Sequence, residues 1–330
     1  MTNFQQITSN LAFDLEIINK IILDFSEGKS SLIKDISHYI VESGGKRIRP
    51  ILLILSAKMC GTNSGNIHHN LAACIELIHT ATLLHDDVID NSQVRRGKKT
   101  ANAIWDNKAN ILVGDYIFSI AFQLMVKSKD LRILDLLSKT SSIIADGEIM
   151  QLQNSNNIFL SEEKYLEIIY SKTAILFSAS CEVGALMNNC KEQEIVALRD
   201  FGKNLGLIFQ IIDDILDYSS SEITLGKDIG NDFFEGKITI PIIYTYQRAS
   251  QQEKVFIEEV FSRNFLNNNK NQNEFEKILD LINKYKAFEV AKDLSCKFKN
   301  ISIKSLDIFP QSKYKEMLIG ILNHSIERIF

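Results

Sequence analysis

Apolar residues recur along this chain at intervals of three and four, the spacing that predicts α-helices. In residues 71–88 (LAACIELIHTATLLHDDV) they fall nearly all round the helix, which indicates a buried element. In a second segment, one apolar stripe consists of Phe201, Leu205, Ile208, Ile212 and Ile215. The pattern therefore predicts two long helices that contribute to a core.

The polar exceptions in these two segments fall on one helical face each. In the first segment they are His79, Thr82 or Leu83, Asp86 and Asp90, and in the second they are Gln210, Asp213, Asp214 and Asp217. Residues three or four apart stack on the same face of a helix. Because buried carboxylates need partners or a metal, both helices are predicted to carry a functional polar face.

A duplicated pentapeptide lies at the polar end of both segments, DDVID at residues 86–90 and DDILD at residues 213–217. The first and last Asp of each copy stand four apart, so their carboxylates would repel each other without a cation. Hard oxygen ligands suit Mg²⁺, which keeps several waters and binds one or two carboxylates together with substrate phosphates. The duplication predicts a magnesium–diphosphate site.

Cations accompany both Asp clusters. The sequence GGKRIRP at residues 44–50 places three cations behind two glycines that allow close backbone approach, before a helix that Pro50 can start. Arg95 and Arg96 follow the first cluster, and Lys227 and Lys237 follow the second. This combination predicts seats for phosphate groups.

Composition narrows the class of protein. Only three prolines occur in 330 residues, and residues 51–240 contain none, which favours an all-helical chain. No segment is long enough for an interdomain linker, so one domain over residues 1–330 is predicted. The net charge of -4 argues against a nucleic-acid partner. The opening residues have no signal pattern and the most apolar window, residues 111–126, is short and interrupted, which predicts a cytosolic protein without a membrane span.

Six motifs then occur in a fixed order: GGKRIRP, ELIHTATLLHDDVIDNSQVRRG, GDYIFSIAF, YSKTAILF, FQIIDDILDY and LGKDIGNDFFEGKITIP. Over about residues 40 to 245 the chain resembles the trans-prenyl diphosphate synthases, most closely the long-chain, octaprenyl-type bacterial enzymes. The resemblance implies an all-α fold, a single large helical bundle of the isoprenoid synthase type with a central active-site cavity. It also implies a homodimer.

The resemblance implies a reaction as well. An allylic diphosphate, here farnesyl diphosphate, is held with about three Mg²⁺ ions between the Asp clusters and ionises, and isopentenyl diphosphate attacks the carbocation. Repeated head-to-tail condensation would give an octaprenyl chain for a quinone. The implied direct ligands are Asp86, Asp90 and Asp213, and the implied further ligands or water-bridging partners are Asp87, Asp214 and Asp217.

By the same resemblance, the cations divide between the two diphosphates. The residues that match the allylic diphosphate seat are Arg95, Lys172, Lys227 and Lys237. The residues that match the isopentenyl diphosphate seat are Lys46, Arg49, His79 and Arg96. Thr173 and Gln210 match polar residues near the reacting carbons.

Product length depends on the positions before the first Asp cluster. Ala81 and Thr82 occupy sites where short-chain members of the family carry a bulky residue, so the resemblance implies a long product. One helical turn advances about 5 Å, roughly one isoprene unit, which places the pocket floor several turns deeper. Phe118, Phe122 and Met125 are candidates for that floor, with ordinary core packing as the alternative reading.

Other functions stay open at this point. They are a shorter-chain farnesyl or geranylgeranyl diphosphate synthase and a non-catalytic subunit of a heteromeric synthase. A class I terpene cyclase is opposed by the second Asp cluster and by GGKRIRP.

Overall fold

The computed structural model describes residues 3–27, 30–62, 66–95, 97–219, 229–267 and 271–328. In these residues nearly all regular structure is helical, as predicted, and the only strands are β1 (Val94–Arg95) and β2 (Lys98–Lys99), which form an antiparallel hairpin. The helices are α1 (Phe4–Asn10), α2 (Ala12–Asp24), α3 (Ser31–Glu42), α4 (Ile48–Met59), α5 (Ile67–Ile89), α6 (Ala101–Trp105), α7 (Asn107–Lys127), α8 (Leu131–Gln153), α9 (Glu162–Ile169), α10 (Ile175–Leu186), α11 (Glu192–Ser219), α12 (Asn231–Phe234), α13 (Ile240–Arg248), α14 (Gln251–Asn267), α15 (Gln272–Lys284), α16 (Ala287–Ser305) and α17 (Lys313–Glu327). A π-helical segment, Tyr170–Ala174, joins α9 to α10, and a 3₁₀ turn, Leu306–Ile308, follows α16.

Helices α5 and α11 form the centre of the bundle. Helix α5 packs along α7 and against α4, whereas α11 packs on α10 and α16. Helix α10 contacts α4, α5 and α11, and so connects the two central helices. The apolar stripe predicted for residues 201–215 is buried, and α5 is buried except along its polar face. Both helix predictions are confirmed.

The buried apolar residues form one cluster that extends from Ile7 of α1 to Leu322 of α17. The terminal helices therefore pack on the same core as α5 and α11. Apolar burial stabilises the fold by about 25 cal/mol per Å². This shared core supports the prediction of one domain over residues 1–330, which stays a prediction.

Two glycines permit close packing around the π-helical segment. A Cβ atom on Gly147 of α8 would lie 2.6 Å from the backbone nitrogen of Lys172. On the other side, a Cβ atom on Gly206 of α11 would lie 2.5 Å from the Cα atom of Ala174. Real Cβ contacts are longer than this, so α8 and α11 can approach the segment only because neither position has a side chain. The position of Lys172 is thus fixed by backbone packing.

Helix α7 is apolar on two sides. It has the length and apolar composition of a membrane-spanning helix, but half of its most apolar window is buried within the bundle, where the helix packs along α5. On its outer side Ile111, Leu112, Phe122 and Val126 are exposed. A core helix of a globular protein passes the same length and composition test, so the finding is weak evidence for a membrane span.

Candidate active site

The two Asp clusters lie at the carboxyl-terminal ends of the central helices. Asp86 and Asp87 belong to the last turn of α5, and Asp90 caps that helix. Asp213, Asp214 and Asp217 occupy the last two turns of α11. Asp86, Asp90, Asp213 and Asp217 are partly accessible, whereas Asp87 and Asp214 are buried. The expected polar face is therefore present on both helices, with one member of each cluster turned inward.

The turn that follows α12 links the two clusters. The ammonium of Lys237 lies 3.3 Å from the Asp90 carboxylate and 2.6 Å from Glu235. The backbone N–H of Asp232 donates to Oδ2 of Asp217 over 3.0 Å. Burial disfavours the charged ammonium, but the carboxylates of Asp232, Asp90 and Glu235 outweigh that effect and raise the pKa of Lys237. Lys237 thus carries a positive charge between α5 and α11.

Asp86 lies in a partly buried position that disfavours its charged form. Burial, with the carboxylates of Glu148 and Asp90 adding to it, raises the pKa of Asp86 to about 7, although Lys172 and Arg95 oppose the rise. Carboxylates that crowd one another in a partly buried position are the oxygen donors that Mg²⁺ prefers. The chemistry of Asp86, Asp90 and Asp213 therefore fits a divalent metal ion.

Arg95, on the β1–β2 hairpin, pairs with Asp87. Its Nε and Nη2 atoms lie 2.9 Å and 2.8 Å from Oδ1 of Asp87, whose residue exposure is only 5%. Asn102 also donates to the backbone carbonyl of Asp87. Arg95 thus neutralises a buried carboxylate beside the first cluster. The expected role of Asp87 as a further ligand or water-bridging partner stays a prediction.

Lys172, in the π-helical segment, contacts α8. Its ammonium donates to Oε2 of Glu148 over 2.6 Å and to Oε1 of Gln151 over 2.8 Å. π-Helical turns inside longer helices are frequent at functional sites, because they turn neighbouring side chains toward one face. A cavity of about 570 Å³ has among its lining residues Lys172, Gln210, Asp214, Asp232 and Lys237. The structure thus brings two expected phosphate-binding cations to one cavity.

Asp214 is withdrawn from solvent, with 2% of its surface exposed. It accepts hydrogen bonds from the Tyr165 hydroxyl at 2.6 Å and from the Gln210 amide at 2.8 Å. Burial and the carboxylate of Asp232 raise the pKa of Asp214, against these two hydrogen bonds. Both oxygens of Asp214 are engaged by these hydrogen bonds, and its expected role as a further ligand or water-bridging partner stays a prediction. Tyr165 carries no signal in the sequence, because a Tyr on the apolar side of an amphipathic helix is ordinary core composition.

Two cations expected for the second diphosphate lie at the start of α4. The guanidinium of Arg49 lies 4.5 Å from the ring centroid of Phe177, which is within cation–π range. The ammonium of Lys46 lies 3.4 Å from Nε2 of His324 and 5.8 Å from the ring of Phe4. Burial, together with Lys46 and Arg328, lowers the pKa of His324. Lys46 therefore meets the carboxyl-terminal helix α17, whereas Arg49 meets α10.

Arg328, directly after α17, also reaches this region. Its Nη1 lies 2.7 Å from Oδ1 of Asp213, and its guanidinium lies 5.0 Å from the ring of Phe209. The resemblance seen in the sequence ends near residue 245 and therefore does not include Arg328. A run such as HSIER carries no signal for a site, because only the tertiary fold brings it to Asp213.

His79 is half-buried on the polar face of α5. It lines a second cavity of about 620 Å³, whose lining residues also include Gly44, Glu76 and Arg95. Arg47 also lines this cavity, where it forms a buried ion pair with Glu76. Arg96 and Lys227 lie outside the residues that the structure describes.

The residues expected to set product length are only partly where they were predicted. Ala81 is buried on α5 and Thr82 is partly buried. Met125 is fully buried and Phe118 partly buried, but the Phe122 side chain is 39% exposed on the outside of α7. The prediction that Phe122 forms the floor of a pocket inside this chain is wrong. The apolar stripe that contains Phe122 runs from the core to the outer surface of α7.

Comparison with known proteins places these observations in a family. A family model described as polyprenyl synthetase matches residues 30–282. The chain is 38% identical over 326 residues to an octaprenyl diphosphate synthase of Escherichia coli, with 99% of each chain covered. It is 36% identical to a geranyl-diphosphate-specific all-trans-nonaprenyl-diphosphate synthase of Rhodobacter capsulatus, with 98% of each covered. A crystal structure of a Caulobacter crescentus polyprenyl synthase complexed with calcium and isoprenyl diphosphate superimposes with a TM-score of 0.93 at 36% identity, covering 99% of both chains.

Proposed function

The chain belongs to the polyprenyl synthetase family and is a long-chain prenyltransferase, and from that premise we propose that it builds an octaprenyl diphosphate from isopentenyl diphosphate and farnesyl diphosphate. The observation that carries the proposal is Lys237, which lies 3.3 Å from Asp90, while Asp232 of the neighbouring helix α12 donates its backbone N–H to Asp217. A cation between two carboxylate clusters supports a binding site for a diphosphate and its metal ions. The product would supply a quinone side chain.

Asp86, Asp90 and Asp213 are the residues that would hold Mg²⁺, about three ions with substrate bound. Bound there, the metal would neutralise the diphosphate and stabilise it as a leaving group. Oxygen-only donors and the raised pKa of Asp86 support this assignment. Asp217 accepts the Asp232 N–H and remains a candidate for bridging through water.

Three cations would bind the allylic diphosphate, and each is held by carboxylates. Arg95 pairs with Asp87, Lys172 with Glu148, and Lys237 with Asp90 and Glu235. Charge-assisted hydrogen bonds to phosphate oxygens would replace part of these contacts. Because the cations are already placed, binding costs little reorganisation. Lys227, outside the described residues, is proposed for the same seat.

Isopentenyl diphosphate would bind to the cations at the start of α4. Lys46, Arg49 and His79 are proposed for this seat, with Arg96, which lies outside the described residues. The Arg49–Phe177 contact holds one guanidinium beside the helix that follows the π-helical segment. The contact supports a second diphosphate site next to α10, which contacts both central helices.

The reaction then proceeds by ionisation and condensation. The bond between the allylic carbon and the diphosphate oxygen breaks, which leaves an allylic carbocation and free diphosphate. The π electrons of isopentenyl diphosphate form the new carbon–carbon bond, and the resulting cation loses a proton to the departed diphosphate. Thr173 and Gln210 are proposed to lie beside the reacting carbons. A cleft that excludes water protects both carbocations.

We propose a long product because Ala81 and Thr82, one turn before the first Asp cluster, have small side chains that leave room for a growing chain. Relatives of similar identity are named for octaprenyl and nonaprenyl products, which supports a long chain and brackets its length. Phe118 and Met125 remain candidates for the deeper wall. A shorter farnesyl or geranylgeranyl product is the alternative.

A homodimer is proposed from the outer side of α7. Ile111, Leu112, Phe122 and Val126 form an exposed apolar face there, and their exposed fractions lie between 39% and 66%. Apolar faces of this kind mark protein interfaces, and a second copy of the same helix offers a self-complementary partner. A dimer interface on α7 would account for the exposed apolar residues of this helix without a membrane. The proposed dimer therefore supports a proposed cytosolic location.

The test is incubation of purified protein with radiolabelled isopentenyl diphosphate, farnesyl diphosphate and Mg²⁺, followed by chromatography of the dephosphorylated products. An octaprenol-length band is expected. A dominant shorter band would refute the proposed length while it leaves the chemistry standing. No incorporation, with or without added partner protein, would refute the catalytic assignment, and incorporation only with a partner would indicate a heteromeric synthase.

A further inference from the structure

A cluster of two histidines, an aspartate and a lysine lies at the amino-terminal end of α5, outside the candidate active site. His68 and His69 stand in the first turn of α5, and Asp14 stands in the first turn of α2. These three residues are only 5–6% exposed. Asp86 lies about five turns further along α5, or about 27 Å away. The cluster is therefore separate from the Asp clusters and takes no part in the chemistry proposed there.

The imidazoles of both histidines face one carboxylate oxygen. Nε2 of His69 lies 2.8 Å from Oδ1 of Asp14, and Nε2 of His68 lies 3.9 Å from the same oxygen. One ligand atom from each of the three residues lies within 4.8 Å of the other two. In a tetrahedral zinc site, with metal–ligand bonds of about 2.0–2.1 Å, the ligand atoms stand about 3.3 Å apart. The two observed distances fall on either side of that value, so small side-chain movements would complete a three-ligand site.

Neither ring has another hydrogen-bond partner in the described part of the chain. Both Nδ1 atoms are buried and unpaired there. The distance between His68 and Asp14 exceeds hydrogen-bond length, so only His69 bonds the carboxylate well. A cation placed between the three side chains would engage both Nε2 atoms and the carboxylate oxygen together.

Lys58, in the last turn of α4, holds the other oxygen of the same carboxylate. Its ammonium lies 2.7 Å from Oδ2 of Asp14, which leaves Oδ1 to the histidines. Carboxylates that bind metals are themselves hydrogen-bonded in this way, and the bond orients them. The ammonium also repels a metal ion and so lowers its affinity. The Lys58 side chain is 24% exposed, more than any other member of the cluster, and solvent screens part of that repulsion.

From this geometry we propose that Asp14, His68 and His69 bind one zinc ion, with water as the fourth ligand, and that the ion fixes α2 to α5. Two imidazole nitrogens and a carboxylate oxygen are a donor set that zinc takes in proteins, whereas Mg²⁺ prefers oxygen donors. Because a carboxylate only accepts hydrogen bonds, Nε2 of His69 carries a proton without metal. That proton moves to Nδ1 when the ion takes its place, so the imidazole stays neutral.

The experiment titrates Zn²⁺ and Co²⁺ into the full-length protein in excess Mg²⁺, which competes for sites made of oxygen donors alone. We expect one Zn²⁺ per chain with a Kd of about 1 μM, and a rise in Tm of about 4 °C when zinc is in about hundredfold excess over Kd. Co²⁺ should show the intense visible bands of a four-coordinate ion. These readouts do not involve prenyl transfer, so they test the site separately from the proposed function.

Four variants connect the binding to these residues. His68→Gln and His69→Gln each remove a nitrogen ligand and should weaken zinc binding at least about 100-fold, since changes beyond the ligands alone cost 10–100-fold. Lys58→Met removes the competing charge and should tighten binding about tenfold. His38→Gln, which removes a histidine of α3 that lies 3.6 Å from Glu27, is the matched control and should leave the affinity unchanged.

Two results would overturn the inference. Zinc that binds equally well to both histidine variants would be held elsewhere, as by the Asp clusters, and cobalt that is only six-coordinate in the unaltered protein would exclude a site with two imidazoles and a single water. Circular dichroism identifies a variant that fails to fold. In that case the cobalt spectra of the unaltered protein and of Lys58→Met decide.

Discussion

The guanidinium of Arg328 lies 2.7 Å from the carboxylate of Asp213, so the end of α17 reaches a residue that is proposed to bind metal. The pair is partly exposed, with 19% and 36% of the two side chains accessible. The ion pair therefore contributes only modestly to stability. Its position matters, because Arg328 holds a positive charge beside a carboxylate that is proposed to bind metal.

Replacing Arg328 should make the metal-free protein bind divalent ions more tightly. In Arg328→Gln we expect an affinity for Mn²⁺ about threefold higher, because a competing positive charge is removed from Asp213. Electron paramagnetic resonance titration measures it. Arg263→Gln, which removes an exposed arginine paired with Glu274, is the control and should leave the affinity unchanged. An equal affinity in both variants would show that the Arg328 pair does not limit metal entry.

Removing the charge of Lys237 should abolish most activity. Lys237→Met should lower kcat/KM for the allylic substrate by about 100-fold, because a preorganised cation that faces the leaving diphosphate is lost. Steady-state kinetics measures it. Lys139→Met, on an exposed lysine of α8 that pairs with Asp135, should be silent. If both variants retained full activity, Lys237 would have no part in the diphosphate seat.

Adding a methyl group at Gly147 should displace Lys172. A Cβ there meets the Lys172 backbone at 2.6 Å, and backbone atoms cannot move aside as a side-chain tip can. Gly147→Ala should cost about 1–3 kcal/mol of stability and lower kcat at least about tenfold. Denaturant unfolding and initial rates measure the two effects. Ser142→Ala, exposed on the same helix, serves for comparison, and normal values in Gly147→Ala would contradict the tight packing.

The N-terminal helices should be held by Asp14 in a pH-dependent way. Burial would raise the pKa of Asp14, but the nearby His68 and hydrogen bonds with His69 and Lys58 outweigh it and hold the pKa well below its usual 3.8. The lowered folded-state pKa stabilises the protein fully above about pH 4, and that stabilisation is lost as pH falls further.

Asp14→Asn should therefore cost about 3 kcal/mol at pH 7, and the difference from the unaltered protein should shrink as the pH falls below about 4. Urea unfolding at several pH values gives the two curves. Parallel curves down to pH 3 would refute the pH linkage.

Charging the outer face of α7 should separate the proposed dimer. In Leu112→Glu we expect the mass in solution to fall from that of two chains to that of one. Because Leu112 is 66% exposed, the stability of the single chain should change by less than about 0.5 kcal/mol. Light scattering gives the mass. Val255→Glu, on the exposed side of α14, should leave it unchanged, and a dimer that persists in Leu112→Glu would place the interface elsewhere.

The helical periodicity of the sequence predicted the all-helical fold and the polar helix faces that carry the Asp clusters. The spacing of His79, Asp86 and Asp90 identified a polar face that the structure shows on α5, because position on a helix follows directly from sequence. Burial of Asp87 and Asp214 was not predictable in that way, since it depends on partners, Arg95 and Tyr165, from other elements.

Long-range contacts explain the remaining differences. Arg328 meets Asp213 only after α17 packs on α4 and α11, and no local pattern encodes that approach. The π-helical turn at residues 170–174 likewise depends on close packing from α8 and α11. Phe122 was assigned to the interior because it shares a stripe with Met125, although the helix presents apolar residues on both sides.

Backbone packing at Gly147 and Gly206 makes the position of Lys172 and Thr173 independent of the shape of the apolar cavity. Lys172 and Thr173 are held by main-chain contacts that do not depend on the identity of the surrounding apolar side chains. Substitutions along α5 and α7, the proposed wall for the growing chain, would therefore reshape that space without shifting Lys172 and Thr173, which are proposed to act on the substrate. An enzyme built in this way can acquire a different product length while its chemistry stays constant, which makes the wall of the cavity the natural place to engineer.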